Sequence, residues 1–269
     1  METTPQPLIL VTNDDGIQAS GIQTLAVALS NLGEVIVCAP DQERSAIGHA
    51  ITLHAPLRIK NTAPGRFAIS GTPADSVLIG MFHLCPRRPD LVVSGINLGP
   101  NLGTDVFYSG TLAGAMEGMI HGVPAIAISQ EIPLNAKDEA RLLEIAASLT
   151  TQMAAKLLTM VESPIVLNIN APAVASSRYA WTKLGKRAYR EQILVREDLR
   201  GEPYYWIGGP PIPGNNLPGT DAHAVESGIF SITPLGLDLT SKAPVNLQQG
   251  DTPGWQRVVL ENGDGCKST

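Results

Sequence analysis

Aromatic side chains are scarce in this chain: four Phe, five Tyr and three Trp make up 4% of 269 residues. A core must then be filled by Val, Ile, Leu and Ala. Charge is also sparse at 16%, with 25 acidic against 19 basic residues and a formal net charge of −6. That balance leaves no basic footprint for nucleic acid or an anionic lipid surface. The three cysteines, Cys38, Cys85 and Cys266, lie far apart with no CxxC pair. They exclude a disulfide framework and a thiolate zinc site, and they indicate a reduced, cytoplasmic setting. No apolar run reaches the roughly 18 residues that a membrane span needs. The opening "METTPQPLILVTNDD" lacks the basic flank of a signal peptide. Neither GxGxxG nor GxxxxGK[ST] occurs, which disfavours dinucleotide and Walker-type phosphate sites.

What is present is apolar material, 43% of the chain, enough for one large domain. The 26 glycines and 21 prolines indicate many turns. Short β-branched runs alternate with helical patterns. Strands are expected at 8–12, 35–40, 51–59, 66–70, 91–95, 125–129 and 165–170, and helices at 22–33, 74–84, 110–122 and 137–160. Continuous apolar strands between helices imply a three-layer, doubly wound α/β fold with a mostly parallel, Rossmann-like sheet. Residues 1–175 form the expected catalytic core and 176–269 a C-terminal extension of the same globular unit. Within that extension, 187–209 reads as two extended arms around a polar turn. The arms are either a local hairpin or an element exchanged between subunits. The final "ENGDGCKST" has the composition of a frayed end.

Ligands in doubly wound sheets bind beyond the carboxyl ends of the strands. Just there, polar residues gather: Asn13, Asp14, Asp15 and Gly16 after the first strand, Ser45 in "DQERSAIGH", the segment "SGTPADS", and "INLGPNLGTDVFYSGT". Adjacent Asp14 and Asp15 at the end of a buried strand need a counter-charge. A hard divalent cation, Mg²⁺ or Mn²⁺, supplies it and takes neutral oxygens such as those of Ser45 and Asn97. "NDDG" is also ordinary turn chemistry; its place beside the other loops shifts the reading toward metal. Ser109, Gly110 and Thr111 open a helix, where free N–H groups hold a phosphate-like anion; plain N-capping by Ser109 or Thr111 is the simpler alternative. Among the five histidines only His49 falls near these loops. Arg44 faces either substrate phosphate or solvent.

The stretches "ILVTNDDGIQASGI", "APDQERSAIGHAIT", "SGTPADSV" and "VSGINLGPNLGTDVFYSGTLAGAMEG" resemble the SurE stationary-phase survival protein family. The likeness continues through "VLNINAP", "WTKLGKRAYR", "YYWIGG" and "GTDAHAVESGIFSITPL". Ala46 departs from the pattern, standing where many members have glycine. The resemblance implies a metal-dependent 5′-nucleotidase that hydrolyses nucleoside 5′- and 3′-monophosphates, with short polyphosphate as a further substrate. It implies one divalent cation on Asp14, Asp15, Ser45 and Asn97, with Asn101, Gly103, Ser109, Gly110 and Thr111 facing phosphate. Homodimers or homotetramers that exchange the C-terminal part are likewise implied, which favours the exchanged form of 187–209. Water activated by Asp14 or Asp15 is the expected nucleophile; direct attack by an aspartate is the other route. A nucleotide-binding stress adaptor without catalysis is the alternative, separated from the enzyme by phosphate release from AMP.

Overall fold

The computed structural model describes residues 6–133, 138–159, 164–186, 192–208 and 217–240. Contacts group Met1–Leu237 into one compact unit and Asp238–Thr269 into a second. The first unit is built on β1 (Leu8–Thr12), α1 (Ser20–Leu29), β2 (Glu34–Pro40), β3 (Ile59–Ala63), β4 (Arg66–Ile69) and α2 (Pro73–Ile79). It continues with β5 (Leu91–Leu98), α3 (Gly110–Ile120), β6 (Ala125–Gln130), α4 (Glu139–Leu157), β7 (Val166–Ala171) and β8 (Tyr179–Trp181). A hairpin of β9 (Gln192–Glu197) and β10 (Pro203–Gly208), then α5 (Asp221–Glu226) and β11 (Phe230–Leu235), complete it.

Nine strands form one sheet in the order β3-β4-β2-β1-β5-β6-β7-β11-β8. The pairs from β4 to β7 are parallel, while β3 on β4 and β11 on β7 are antiparallel. This is the expected mostly parallel α/β architecture. All five residues of β1 are buried, and their alternation divides them between two layers. Ile9 and Val11 pack with Leu25 of α1 and Leu143 of α4, whereas Leu8 and Leu10 pack with Val77 of α2 and Leu112 of α3. The sequence order runs outward in opposite directions from β1, toward β2 on one side and β5 on the other. That makes β1/β5 the switch point, where a crevice opens beyond the strand ends.

Two local expectations differ. The strand expected over 51–59 is absent except for Ile59, which begins β3. There the backbone N–H of Thr52 goes to Asp75 Oδ1 at 2.9 Å and Leu53 is 78% exposed, so this alternating stretch serves a side-chain anchor rather than a sheet edge. The helix over 74–84 exists, but from Gly80 to Leu84 it widens into a π-helical turn. Its start is a capping box between Thr72 and Asp75 with Pro73 in the first turn. The expected arms match the antiparallel pair β9–β10, with Asp198–Glu202 turning between them. Residues 187–191 and 209, like the ends of the 137–160 expectation and the terminal 261–269, lie outside the described residues. Among the described residues no helix is long and apolar enough to cross a membrane.

Candidate active site

Parallel pairing of Thr12 with Ser94 brings the ends of β1 and β5 side by side. Asp14 and Asp15 follow β1 directly, and Asp15 Oδ2 accepts from the Leu98 backbone N–H at 3.3 Å. In β5 the register with β6 shifts between Ser94 and Asn97, a bulge of the kind that re-aims side chains. Gly95 makes it possible: its φ of +133° suits glycine, and a Cβ there would overlap the Ile128 carbonyl. Asn97 Nδ2 then donates to the Gly99 carbonyl at 2.7 Å, which leaves Oδ1 as the side-chain atom able to act as an oxygen ligand.

Asp14 is 4% exposed and sits against the start of α3. Thr111 Oγ1 donates to Asp14 Oδ1 at 2.6 Å, and the Thr111 backbone also favours the charged acid. A Cβ on Gly110 would stand 2.8 Å from Asp14 Cβ and 2.9 Å from its Oδ2, so the absent side chain is what admits the carboxylate. Ser109 caps α3, its Oγ accepting from Leu112 N–H at 3.0 Å. The capping alternative therefore holds for Ser109, and its own hydroxyl proton remains able to donate elsewhere. The Thr111 proton is committed to Asp14.

The loop after β2 folds back over this crevice. Arg44 N–H donates to the Asp14 carbonyl at 2.7 Å, and Gly48 N–H to the Tyr108 carbonyl at 3.0 Å. His49 Nε2 lies 2.6 Å from Glu117 Oε2, a buried acid on α3 whose other oxygen lies 3.1 Å from His121 Nε2. Ser45 is exposed and its hydroxyl donates to Glu43 Oε1 at 2.7 Å. Next to it Ala46 adopts a φ of +55°, the conformation that glycine would enter freely. The Arg44 Nε is buried and makes no hydrogen bond among the described residues.

Asn101 and Gly103 are held from beneath. Asn101 N–H donates to Asn170 Oδ1 at 2.7 Å, its side-chain amide donates to Ser129 Oγ at 2.8 Å, and its carbonyl accepts from Asn168 and Asn170. The Gly103 N–H is directed to Asp221 Oδ2 at 2.7 Å. The structure thus gathers Asp14, Asp15, Asn97, Ser109, Gly110 and Thr111 at the β1/β5 crevice, brings the Ser45 loop over it, and uses the backbones of Asn101 and Gly103 as anchors. Glu117, Asp221, Asn168 and Asn170 escaped the reading of the sequence. The alternating asparagines of "VLNIN", polar residues in an otherwise apolar strand, were the available signal.

Burial pushes the Asp14 carboxyl above its ordinary range, against the pull of the Thr111 hydrogen bonds. Asp15 is raised to about 6, first by burial and then by the charge of Asp14. Among the described residues no Lys, Arg or His forms an ion pair with either acid. Nor, among the described residues, do three or more His, Cys, Asp or Glu form a group that could hold a metal ion. Two uncompensated carboxylates beside neutral amide and hydroxyl oxygens fit a hard divalent cation and do not fit a thiolate or imidazole zinc site.

Fold and site together define a doubly wound α/β protein with an acidic, oxygen-lined crevice at its switch point. Residues 9–191 match the family model described as "Survival protein SurE". The chain is 47% identical over 234 residues to the 5′-nucleotidase SurE of Syntrophotalea carbinolica, covering 87% of this chain and 93% of that one. With the 5′-nucleotidase SurE of Geobacter metallireducens it shares 46% over 238 residues, 87% and 93% of the two chains. The crystal structure of the SurE protein from Aquifex aeolicus superposes with a TM-score of 0.75 at 40% identity, covering 87% of this chain and 95% of that one. The chain belongs to the SurE survival protein family.

Proposed function

We propose that this protein is a 5′-nucleotidase that hydrolyses nucleoside 5′-monophosphates with one divalent cation, Mg²⁺ or Mn²⁺, per subunit. Nucleoside 3′-monophosphates and short polyphosphate are further substrates in this reading. The observation that carries it is the Asp14–Thr111–Gly110 contact, which joins an acid needing a cation to a helix start suited to a phosphoryl oxygen. The 5′-nucleotidase names of relatives aligned over most of their length support the same activity.

Asp14, Asp15, Asn97 and Ser45 would hold the cation, Ser45 by turning its hydroxyl from Glu43. When bound, such an ion neutralises charge on the phosphoryl group and polarises its oxygens. The Thr111 hydroxyl fixes Asp14 in place. Ser109 O–H and the Gly110 N–H stabilise charge on the remaining phosphoryl oxygens. Asp14 or Asp15 orients the attacking water and takes its proton. Water oxygen joins phosphorus, the ester bond breaks, and the departing oxygen is protonated from solvent. Arg44, with no carboxylate paired to it among the described residues, is available to the substrate phosphate.

The test is phosphate release from AMP by purified protein with Mn²⁺ added back. Asp14→Asn and Asp15→Asn are each expected to lose activity on the order of a hundredfold or more while keeping the wild-type circular dichroism spectrum. Near-normal turnover by either folded variant would refute the site.

The exposed hairpin supports a homodimer or homotetramer. Val195, Tyr205, Trp206 and Ile207 are each more than 60% exposed, an apolar surface on an arm that suits burial against a second copy of the chain.

A further inference from the structure

Three anchors hold the loop that leads into α3. Gly99 N–H reaches the Gln130 carbonyl at 2.9 Å, Asn101 is tied to Asn168 and Asn170 of β7, and Gly103 N–H reaches Asp221. The first two come from the parallel sheet. The third comes from α5, more than a hundred residues later in the chain, and it alone is a carboxylate.

Asp221 is 0% exposed. Its Oδ2 accepts from Gly103 N–H at 2.7 Å, and its Oδ1 accepts from Gly185 N–H and Ala222 N–H, both at 2.8 Å. A charge removed from water is costly unless hydrogen bonds replace its solvation, and here three backbone donors do so. The Asp221 N–H donates in turn to the Lys183 carbonyl at 3.0 Å. One side chain therefore joins the loop beside the catalytic crevice to the segment 183–185, which runs on toward the hairpin β9–β10. From Gly103, at φ +53°, a short 3₁₀ turn runs to Phe107. Its Asp105 carbonyl accepts from both Tyr108 N–H at 2.9 Å and Ser109 N–H at 3.1 Å. A displaced Gly103 would shift Ser109, while Thr111 stays bonded to Asp14.

We infer that Asp221 is a positioning residue for phosphoryl transfer, setting the Gly103–Ser109 turn through the Gly103 amide and tying it to the segment 183–185. The inference rests on the phosphate-site reading above. None of these hydrogen bonds of Asp221 goes to a proposed cation ligand.

Asp221→Asn keeps the shape but replaces one acceptor oxygen by an N–H₂ group. Either Gly103 N–H or the Gly185 and Ala222 pair must then face a donor. In the folded variant kcat for AMP should fall on the order of tenfold to a hundredfold, as a misplacement of about an ångström in a catalytic group does. Inhibition by inorganic phosphate should weaken, while the affinity for Mn²⁺, read by electron paramagnetic resonance, stays within about twofold because Asp14 and Asp15 are untouched. Amide exchange should quicken together in peptides covering 99–107 and 182–186. Wild-type kcat and wild-type phosphate inhibition in the folded variant would overturn the inference, as would loss of Mn²⁺ binding in step with activity. If the variant does not fold, exchange in the wild type decides: a slowly exchanging Gly103 amide supports the bond and a freely exchanging one overturns it. Wild-type protein that releases no phosphate from AMP would instead sink the phosphate-site reading itself. Active wild type with an equally active Asp221→Asn sinks only the positioning role.

Discussion

Gly110 shows how much one missing methyl group decides. The Asp14 carboxylate occupies the space a side chain would fill, with Oδ2 2.9 Å from the would-be Cβ. In a helix, alanine is preferred to glycine by about 1 kcal/mol, so Gly110→Ala should not weaken α3 by propensity. It must instead push Asp14 away from the Thr111 hydroxyl. The expected outcome is a variant that melts within a few degrees of wild type but has lost on the order of tenfold or more of its AMP hydrolysis, read by phosphate release against a melting curve. Full activity would show that Asp14 tolerates the shift and that the tight contact is incidental. Ala46, beside Ser45, is the converse case: a Cβ is present where the backbone would suit glycine.

At the level of elements, the hairpin β9–β10 stands apart. The central strands β1, β6 and β7 are buried along their whole length, but Trp206 is 62% exposed and Ile207 91% exposed. A two-stranded ribbon is marginal by itself in water. Cover by a second copy would bury Tyr205, Trp206 and Ile207. Replacing Tyr205 and Trp206 together with serine should lower the molar mass found by light scattering to that of a monomer, with the secondary structure unchanged. A mass unchanged by the double substitution would place the subunit contact elsewhere.

The whole molecule responds to the two acids through their titration. A carboxyl whose pKa is raised on folding binds its proton more tightly in the native state. The native state of the cation-free protein therefore loses stability as pH rises from the ordinary range near 3.8 through about 6 for Asp15, and bears the full penalty above it. A cation that binds the ionised pair relieves that penalty and stabilises the fold by mass action. Competition with the Asp15 proton alone should weaken Mn²⁺ affinity about tenfold between pH 7 and pH 5. Calorimetric titration at the two pH values measures this, and the Mn²⁺-induced rise in melting temperature should be larger at pH 7. Equal affinity at both would remove Asp15 from the ligand set.

Most of this architecture was legible along the chain because burial on both faces of a parallel sheet leaves an unmistakable run such as "LILVT", and because polar residues collect where such runs end. Asp14 and Asp15 were conspicuous for the same reason: two neighbouring charges cannot close a buried strand without compensation. The stretch 51–59 misled because alternation reports a face and not its partner; Asp75 took the Thr52 N–H that a neighbouring strand would have used. Tertiary structure alone decided which atoms meet. The Thr111 hydroxyl belongs to Asp14, Glu117 joins His49 to His121, and Asp221 finds Gly103 across 118 positions. Sequence carries local periodicity and chemistry, whereas hydrogen bonds between distant residues depend on how strands are ordered in the sheet, and that order is set by the packing of the whole chain.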